Sequence, residues 1–224
     1  MPYRRIPLIT GEIYHVLNRS IARQPIFLTE KDYHRALDIL EFYSYERPIL
    51  RFSHYNRLQA KQKSEFLINL KNKGKRQVDI LAFCLMPNHF HLLMKEIQLG
   101  GISTFMRNFQ NSYAKYFNLK SERTGAVFQS MFKAVRIETD EQLVHVCRYI
   151  HLNPLTSFIL KDSKELESYF WSSYPFYLEK ARNRTVTTGL ILSLFSSLQQ
   201  FTDFHLNQID YQRRLEEIKH LALE

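Results

Sequence analysis

Two histidines separated by one residue, His89 and His91, are the first groups in this chain whose type and spacing could do chemistry. They follow the run Val78-Asp79-Ile80-Leu81-Ala82-Phe83-Cys84-Leu85-Met86 and the dipeptide Pro87-Asn88. A nine-residue run with a single charge predicts a central strand buried on both faces. Proline cannot donate to a ladder and asparagine tolerates turn geometry, so the chain should reverse at Pro87-Asn88. Side chains two apart on a strand share a face, about 6–7 Å along the chain. His89 and His91 would then stand side by side, with Phe90 in the core, and could offer two imidazoles to one metal ion. Alone the pair is ordinary, because strand histidines are more often surface or satisfied polar residues. A further ligand and a reacting group must come from elsewhere.

His145, Tyr149 and Asn153 are spaced by four and stack on one face of a predicted helix. Thr139 and Gln142 form a capping box at its start. Leu143, Cys147 and Ile150 supply its buried face, and Pro154 should end it. A tyrosine one turn before an amide side chain can place a hydroxyl and a carbonyl oxygen in one small volume. Tyr113 and Tyr116 instead continue the stripe Ile102, Phe105, Phe109 of another helix, capped at Ser103 or Thr104 after Gly100-Gly101, and read as packing.

The remaining elements must position these groups. Glu12 to Ser20 reads as the first strand, with His15 a sheet-face histidine that has a local partner. Thr29 caps a helix running to about Tyr45. Arg57 to Gln77 carries Arg57, Lys61, Lys63, Lys71, Lys73, Lys75 and Arg76 against Glu65 alone. It is the first candidate for contact with backbone phosphates, near one edge of the histidine hairpin, with Phe66, Ile68 and Leu70 forming a buried side. Arg107, Lys115 and Lys120 offer a second basic face. Val127 to Gln129 and Phe132 to Ile137 read as a bent strand or a pair of strands. The aromatic cluster Tyr169 to Tyr177 reads as a satellite core in preference to a base-stacking platform. Met1 to Gly11 is a basic leading segment, and Arg182 to Arg184 a linker. Thr187 to Gln200, with Leu190, Leu194 and Leu198 on one face, and Asn207 to Leu223 read as helices. The expected division is a domain over 1–180 and an accessory helical hairpin over 185–224.

The composition agrees with an ordered globular protein: 224 residues, 45% hydrophobic and 14% aromatic. The net charge of +9 favours a polyanion, nucleic acid before membrane surface. No signal peptide or membrane-length apolar run is seen, so a cytoplasmic protein with no membrane partner is expected. Cys84 and Cys147 are read as small core residues.

Met86-Pro87-Asn88-His89-Phe90-His91-Leu92-Leu93 resembles the His-hydrophobe-His motif of HUH single-strand DNA transposases with one catalytic tyrosine. Arg148-Tyr149-Ile150-His151-Leu152-Asn153-Pro154 resembles their tyrosine helix. Gly11 to Ser20, Arg123-Thr124-Gly125 and Trp171-Ser172-Ser173-Tyr174 are similar to the branch of REP-associated tyrosine transposases. The resemblance spans roughly Gly11 to Tyr177, and the order of the motifs, with Tyr149 58 residues after His91, makes it specific. It implies an α/β (α+β) fold: a ferredoxin-like antiparallel sheet flanked by helices, the histidines on a central strand, and a C-terminal helical appendage. It also implies a metal site of His89, His91 and Asn153 holding Mg²⁺ or Mn²⁺, and Tyr149 as nucleophile. The expected partner is single-stranded DNA with hairpins, cut and rejoined through a 5′-phosphotyrosyl intermediate with no nucleotide cofactor. A homodimer, and a tyrosine acting in cis or in trans, stay open. So do two other readings: an idle binding module for structured nucleic acid, and a hydrolase in which water attacks.

Overall fold

A computed structural model describes residues 7–46, 48–181 and 185–207. The linker expected at Arg182 to Arg184, the start of the leading segment and the helix expected from Asn207 onward lie outside these residues, apart from Asn207 itself. Four strands, β1 (Ile13–Arg19), β2 (Val78–Met86), β3 (His89–Glu96) and β4 (Lys133–Ile137), form one antiparallel sheet in the order β2-β3-β1-β4. The helices are α1 (Glu30–Tyr43), α2 (Phe52–Tyr55), α3 (Ala60–Lys73), α4 (Gly101–Lys120), α5 (Asp140–Thr156), α6 (Tyr174–Tyr177), α7 (Gly189–Leu192) and α8 (Leu198–Leu206). Leaving aside α2 and α3 in the first crossover, the succession β1-α1-β2-β3-α4-β4 with this strand order is the ferredoxin-like arrangement, and α5 follows it.

The period of two along the strands decides which helix meets which face. Phe90 is fully buried and packs edge-on against Phe109 of α4 and Phe128. Asn18, Val16 and Tyr14 of β1 pair with Phe90, Leu92 and Met94, so they share that face, and all three are buried. The alternate residues Ile13, His15, Leu17 and Arg19 are only half-buried. They face the side on which α5 lies, together with His89 and His91.

The β2-turn-β3 hairpin falls at the expected residues, but β2 is the last strand in the sheet order, not a central one. Its outer backbone is nonetheless occupied. Leu85 N–H donates to the Trp171 carbonyl (2.8 Å), Ser173 N–H to the Phe83 carbonyl (2.9 Å) and Thr187 N–H to the Ile80 carbonyl (2.8 Å). The sequence between α5 and α7 thus acts as a discontinuous neighbour. Burial on every side, which an apolar run reports, is a different property from centrality in the ladder.

Three helix boundaries also differ from expectation. α4 begins at Gly101, and its first amides are capped by neither Ser103 nor Thr104. The buried Glu96 carboxylate accepts from the N–H groups of Gly100 (2.8 Å) and Ile102 (3.1 Å), an anion at the positive end of the helix. Gly101 must be glycine, since a Cβ there would lie 2.2 Å from the Gln77 carbonyl oxygen. Pro154 does not end α5, which continues to Thr156. An interior proline costs about 3 kcal/mol, whereas each fully buried aliphatic side chain contributes about 1.5–3 kcal/mol. Ile150, Leu152 and Leu155 are all fully buried, so packing holds the last turn. Finally, Thr187 to Gln200 is not one helix. It breaks between α7 and α8, where Ile191, Phe201 and His205 are buried while Leu190, Leu194 and Leu198 are partly exposed. In α3, too, the expected inner face is shallow, and Ile68 is exposed.

Candidate active site

The sheet face under α5 brings the two constellations together. The rings of His89 and His91 lie 5.1 Å apart, and the Tyr149 ring meets His91 edge-on with centroids at 5.5 Å. Asn153, one turn on and almost fully buried, lies close enough to His89 to raise its pKa. Tyr149 sits over the histidines of its own chain. Tyr113 donates to the Ile26 carbonyl (2.6 Å) and Tyr116 to Asp32 (2.8 Å) on the other side of the sheet, as packing residues.

Two residues outside the expected site orient the imidazoles. Asn88 Nδ2 donates to the Arg23 carbonyl (2.9 Å), so its other amide atom, Oδ1, faces His89 Nδ1 at 2.7 Å. An amide oxygen only accepts, so His89 Nδ1 carries the proton and Nε2 keeps a lone pair. His91 Nδ1 lies 2.9 Å from His15 Nε2, with the rings stacked. With His91 as the donor of that bond, its Nε2 is likewise a free acceptor. His15 was read from sequence as a histidine with a local partner; its partner is His91.

Burial pushes His15 down to about 4. Burial, and then the Arg19 guanidinium, push His89 to about 4 against the opposing effect of Asn153. His91 lies well below the ordinary value through burial and then its neighbours His89, His15 and Arg19. All three rings are therefore neutral near pH 7, and His89 and His91 each keep an Nε2 lone pair to give. Two imidazole nitrogens and an amide side chain form a donor set that suits an octahedral, oxygen-tolerant divalent cation.

His145 does not reach this chemistry. Its Nδ1 accepts from the Arg148 guanidinium at 2.7 Å, and its ring lies against Phe204. A second histidine cluster, Cys147-His151-His205, has ligand-like spacing among the described residues. It closes as a hydrogen-bond chain without a cation. His205 Nδ1 donates to the Phe201 carbonyl (2.8 Å), leaving His205 Nε2 to accept from His151 Nδ1 (3.0 Å). His151 Nε2 then accepts from Ser173 Oγ (2.8 Å), which accepts in turn from Phe83 N–H (2.9 Å). All four ring nitrogens are matched with both rings neutral, so the cluster fastens α8 to α5 and β2.

The expected phosphate-contact residues lie elsewhere. Lys61, Lys63, Lys71 and Lys73 are on α3, with Arg57 before it and Lys75 and Arg76 after it. This segment enters β2 at Val78, which pairs with Glu96, while the histidine end pairs Met86 with His89. Eight residues of strand, roughly 26 Å, therefore separate the two ends, so the stretch adjoins the hairpin at its remote end. Arg76 pairs with Asp79 at 2.5 Å and Lys71 with Glu41 at 3.1 Å. Arg107 and Lys115 are exposed on α4, across the sheet from the histidines, and Lys120 is bound to Asp32. Trp171 stacks on Tyr33 with centroids at 4.6 Å, and Tyr174 and Tyr177 are buried, so the aromatic cluster is packing.

Residues 45–153 match the sequence model of a family described as IS200-like transposases. None of the curated proteins compared matches the chain. Among solved structures, a REP-associated tyrosine transposase bound to a REP hairpin superposes with a TM-score of 0.52 at 15% identity. The match covers 85% of this chain and 93% of that one. The matched segment holds both strand histidines, Tyr149 and Asn153, so the chain is similar to the IS200-like transposases over the residues that build this site, and it shares its fold with the REP-associated neighbour.

Proposed function

We propose that this chain is a metal-dependent single-strand DNA endonuclease and strand transferase that acts on hairpin-bearing DNA through Tyr149. The supporting observation is the meeting of four side chains from distant segments: Tyr149 against His91, and Asn153 beside His89. A family built on DNA transposition, and a structural neighbour holding a DNA hairpin, favour that substrate.

His89, His91 and Asn153 would hold a Mg²⁺ or Mn²⁺ ion, which supplies electrostatic polarisation of a phosphodiester. The protein does the rest. Asn88 and His15 aim the two imidazoles, and the rigid β3 keeps them in place. The Tyr149 oxygen attacks phosphorus in line, forming a tyrosyl–phosphate bond as the bond from phosphorus to the 3′ oxygen breaks. The strand leaves with a 3′-OH, and its 5′ phosphate stays on the enzyme. Because the bond energy is kept in the covalent link, a later 3′-OH can displace the tyrosine and rejoin DNA without a nucleotide.

The test is a denaturing gel of protein with labelled hairpin single strands and Mn²⁺, using hairpins from repeats that flank the gene. Wild type should give a band shifted by the protein's mass, and Tyr149→Phe none while still binding DNA. An adduct on the mutant would place the nucleophile elsewhere; cleavage with no adduct would leave a hydrolase, and binding with neither an idle binding module.

A further inference from the structure

The basic groups nearest the histidines are not those of α3. Arg19 pairs across the sheet with His89, and Lys133 pairs with Leu17, whose other neighbour is His91. Residues paired in this way share a face, so Arg19 and Lys133 project on the same side as the two histidines. Arg23 joins them from the turn after β1. Together with Leu17, Asn18 and Gln129 the three line a cleft of about 250 Å³.

Two features distinguish this cleft from an ordinary solvated basic surface. First, none of its three cations enters an ion pair among the described residues, whereas Lys71, Arg76, Lys120 and Arg136 all do. Arg19 is only half exposed, yet among the described residues it forms no ion pair. Second, Arg23 is presented by a strained backbone. Ala22 and Arg23 both adopt left-handed conformations, with φ of 55° and 56°, which non-glycine residues rarely take. The strained turn is pinned by Asn88, which binds the Arg23 carbonyl and His89 at once. The element that aims one imidazole therefore also fixes the position of an unpaired cation.

We infer that the Arg19–Arg23–Lys133 cleft seats a backbone phosphate of the single DNA strand, next to the phosphate that Tyr149 attacks. Three donors converging on one pocket beside amide groups suit a phosphodiester, which needs positive charge and several N–H donors together. The cleft sets the register of the strand on the sheet without reading bases. It rests on the proposed function, and it moves the strand's footprint from α3 to the β1–β4 side of the sheet.

The experiment uses the full chain carrying Tyr149→Phe, a labelled hairpin single strand and a chelator, with affinity measured across a range of salt concentrations. Arg23→Ala with Lys133→Ala should lower the slope of log affinity against log salt by about 1.4, near 0.7 for each lost single-strand contact. The loss should be the same for hairpins of different sequence. Arg23→Lys with Lys133→Arg should restore most of the slope, which a merely misfolded double variant would not explain. An unchanged slope in the alanine pair would overturn the cleft, while adduct formation by wild type would leave the proposed function standing. If wild type neither binds hairpins nor forms the adduct, the proposed function falls and takes the cleft's ligand with it.

Discussion

Asn88 is the residue on which most of the site geometry turns. One amide group reads two neighbours: its nitrogen must face a carbonyl, so its oxygen must face His89, and the tautomer of that ring follows. On the proposed function His89 holds a divalent cation, and replacing a partner that supports a metal-ligating imidazole costs about 10–100-fold in metal affinity. Asn88→Ala should weaken Mn²⁺ binding, followed by electron paramagnetic resonance, by that factor, with Tyr149 untouched. An unaltered affinity would mean that β3 alone orients the ring. The strand histidines, Tyr149 and Asn153 were legible in the sequence because each is set by a local rule: period two on a strand, period four on a helix. His15 and the cleft cations were not, because they depend on register. His15 is diagonal to His91 only because Leu17 pairs with His91, and no pattern along a single strand reports that pairing.

Among the elements, the packing of α1 on α4 shows how a buried charge is accommodated. Asp32 is fully buried, and burial by itself would raise its pKa. Lys120 and Tyr116, with the backbone N–H groups of Leu28 and Thr29, outweigh burial and hold it below the ordinary value. A carboxyl with a depressed folded pKa adds stability that is present above the unfolded value, near 4. That stability is lost as pH falls through the lower folded value. Thermal melts should therefore show a transition that drops below about pH 4, and Lys120→Met should reduce that dependence and lower stability at neutral pH. An unchanged acid limb would remove Asp32 as its source. Helix ends were the least legible elements. The cap of α4 is a carboxylate from the preceding strand, and the end of α5 is held past Pro154 by tertiary burial. Neither is local to the residues that propensity weighs.

For the molecule as a whole, a single chain assembles every proposed group, since Tyr149 lies on its own His91. Mixing His91→Ala protein with Tyr149→Phe protein should therefore produce no adduct. Recovery of the adduct in the mixture would show the tyrosine helix crossing between subunits. The order β2-β3-β1-β4 was not readable from patterns, because hydrophobicity reports burial and not neighbours, and the backbone that covers β2 belongs to a segment with no strand signature of its own. That arrangement has a consequence for synthesis. The most apolar strand leaves the ribosome early, whereas the backbone groups that cover its outer edge, around Trp171, Ser173 and Thr187, come more than 80 residues later. At about 5–20 residues per second, the edge waits roughly 4–20 s for its partners. During that interval a nascent chain presents an uncapped apolar strand to any other strand nearby, so the yield of native protein should depend on translation speed and on chaperones that shield β2.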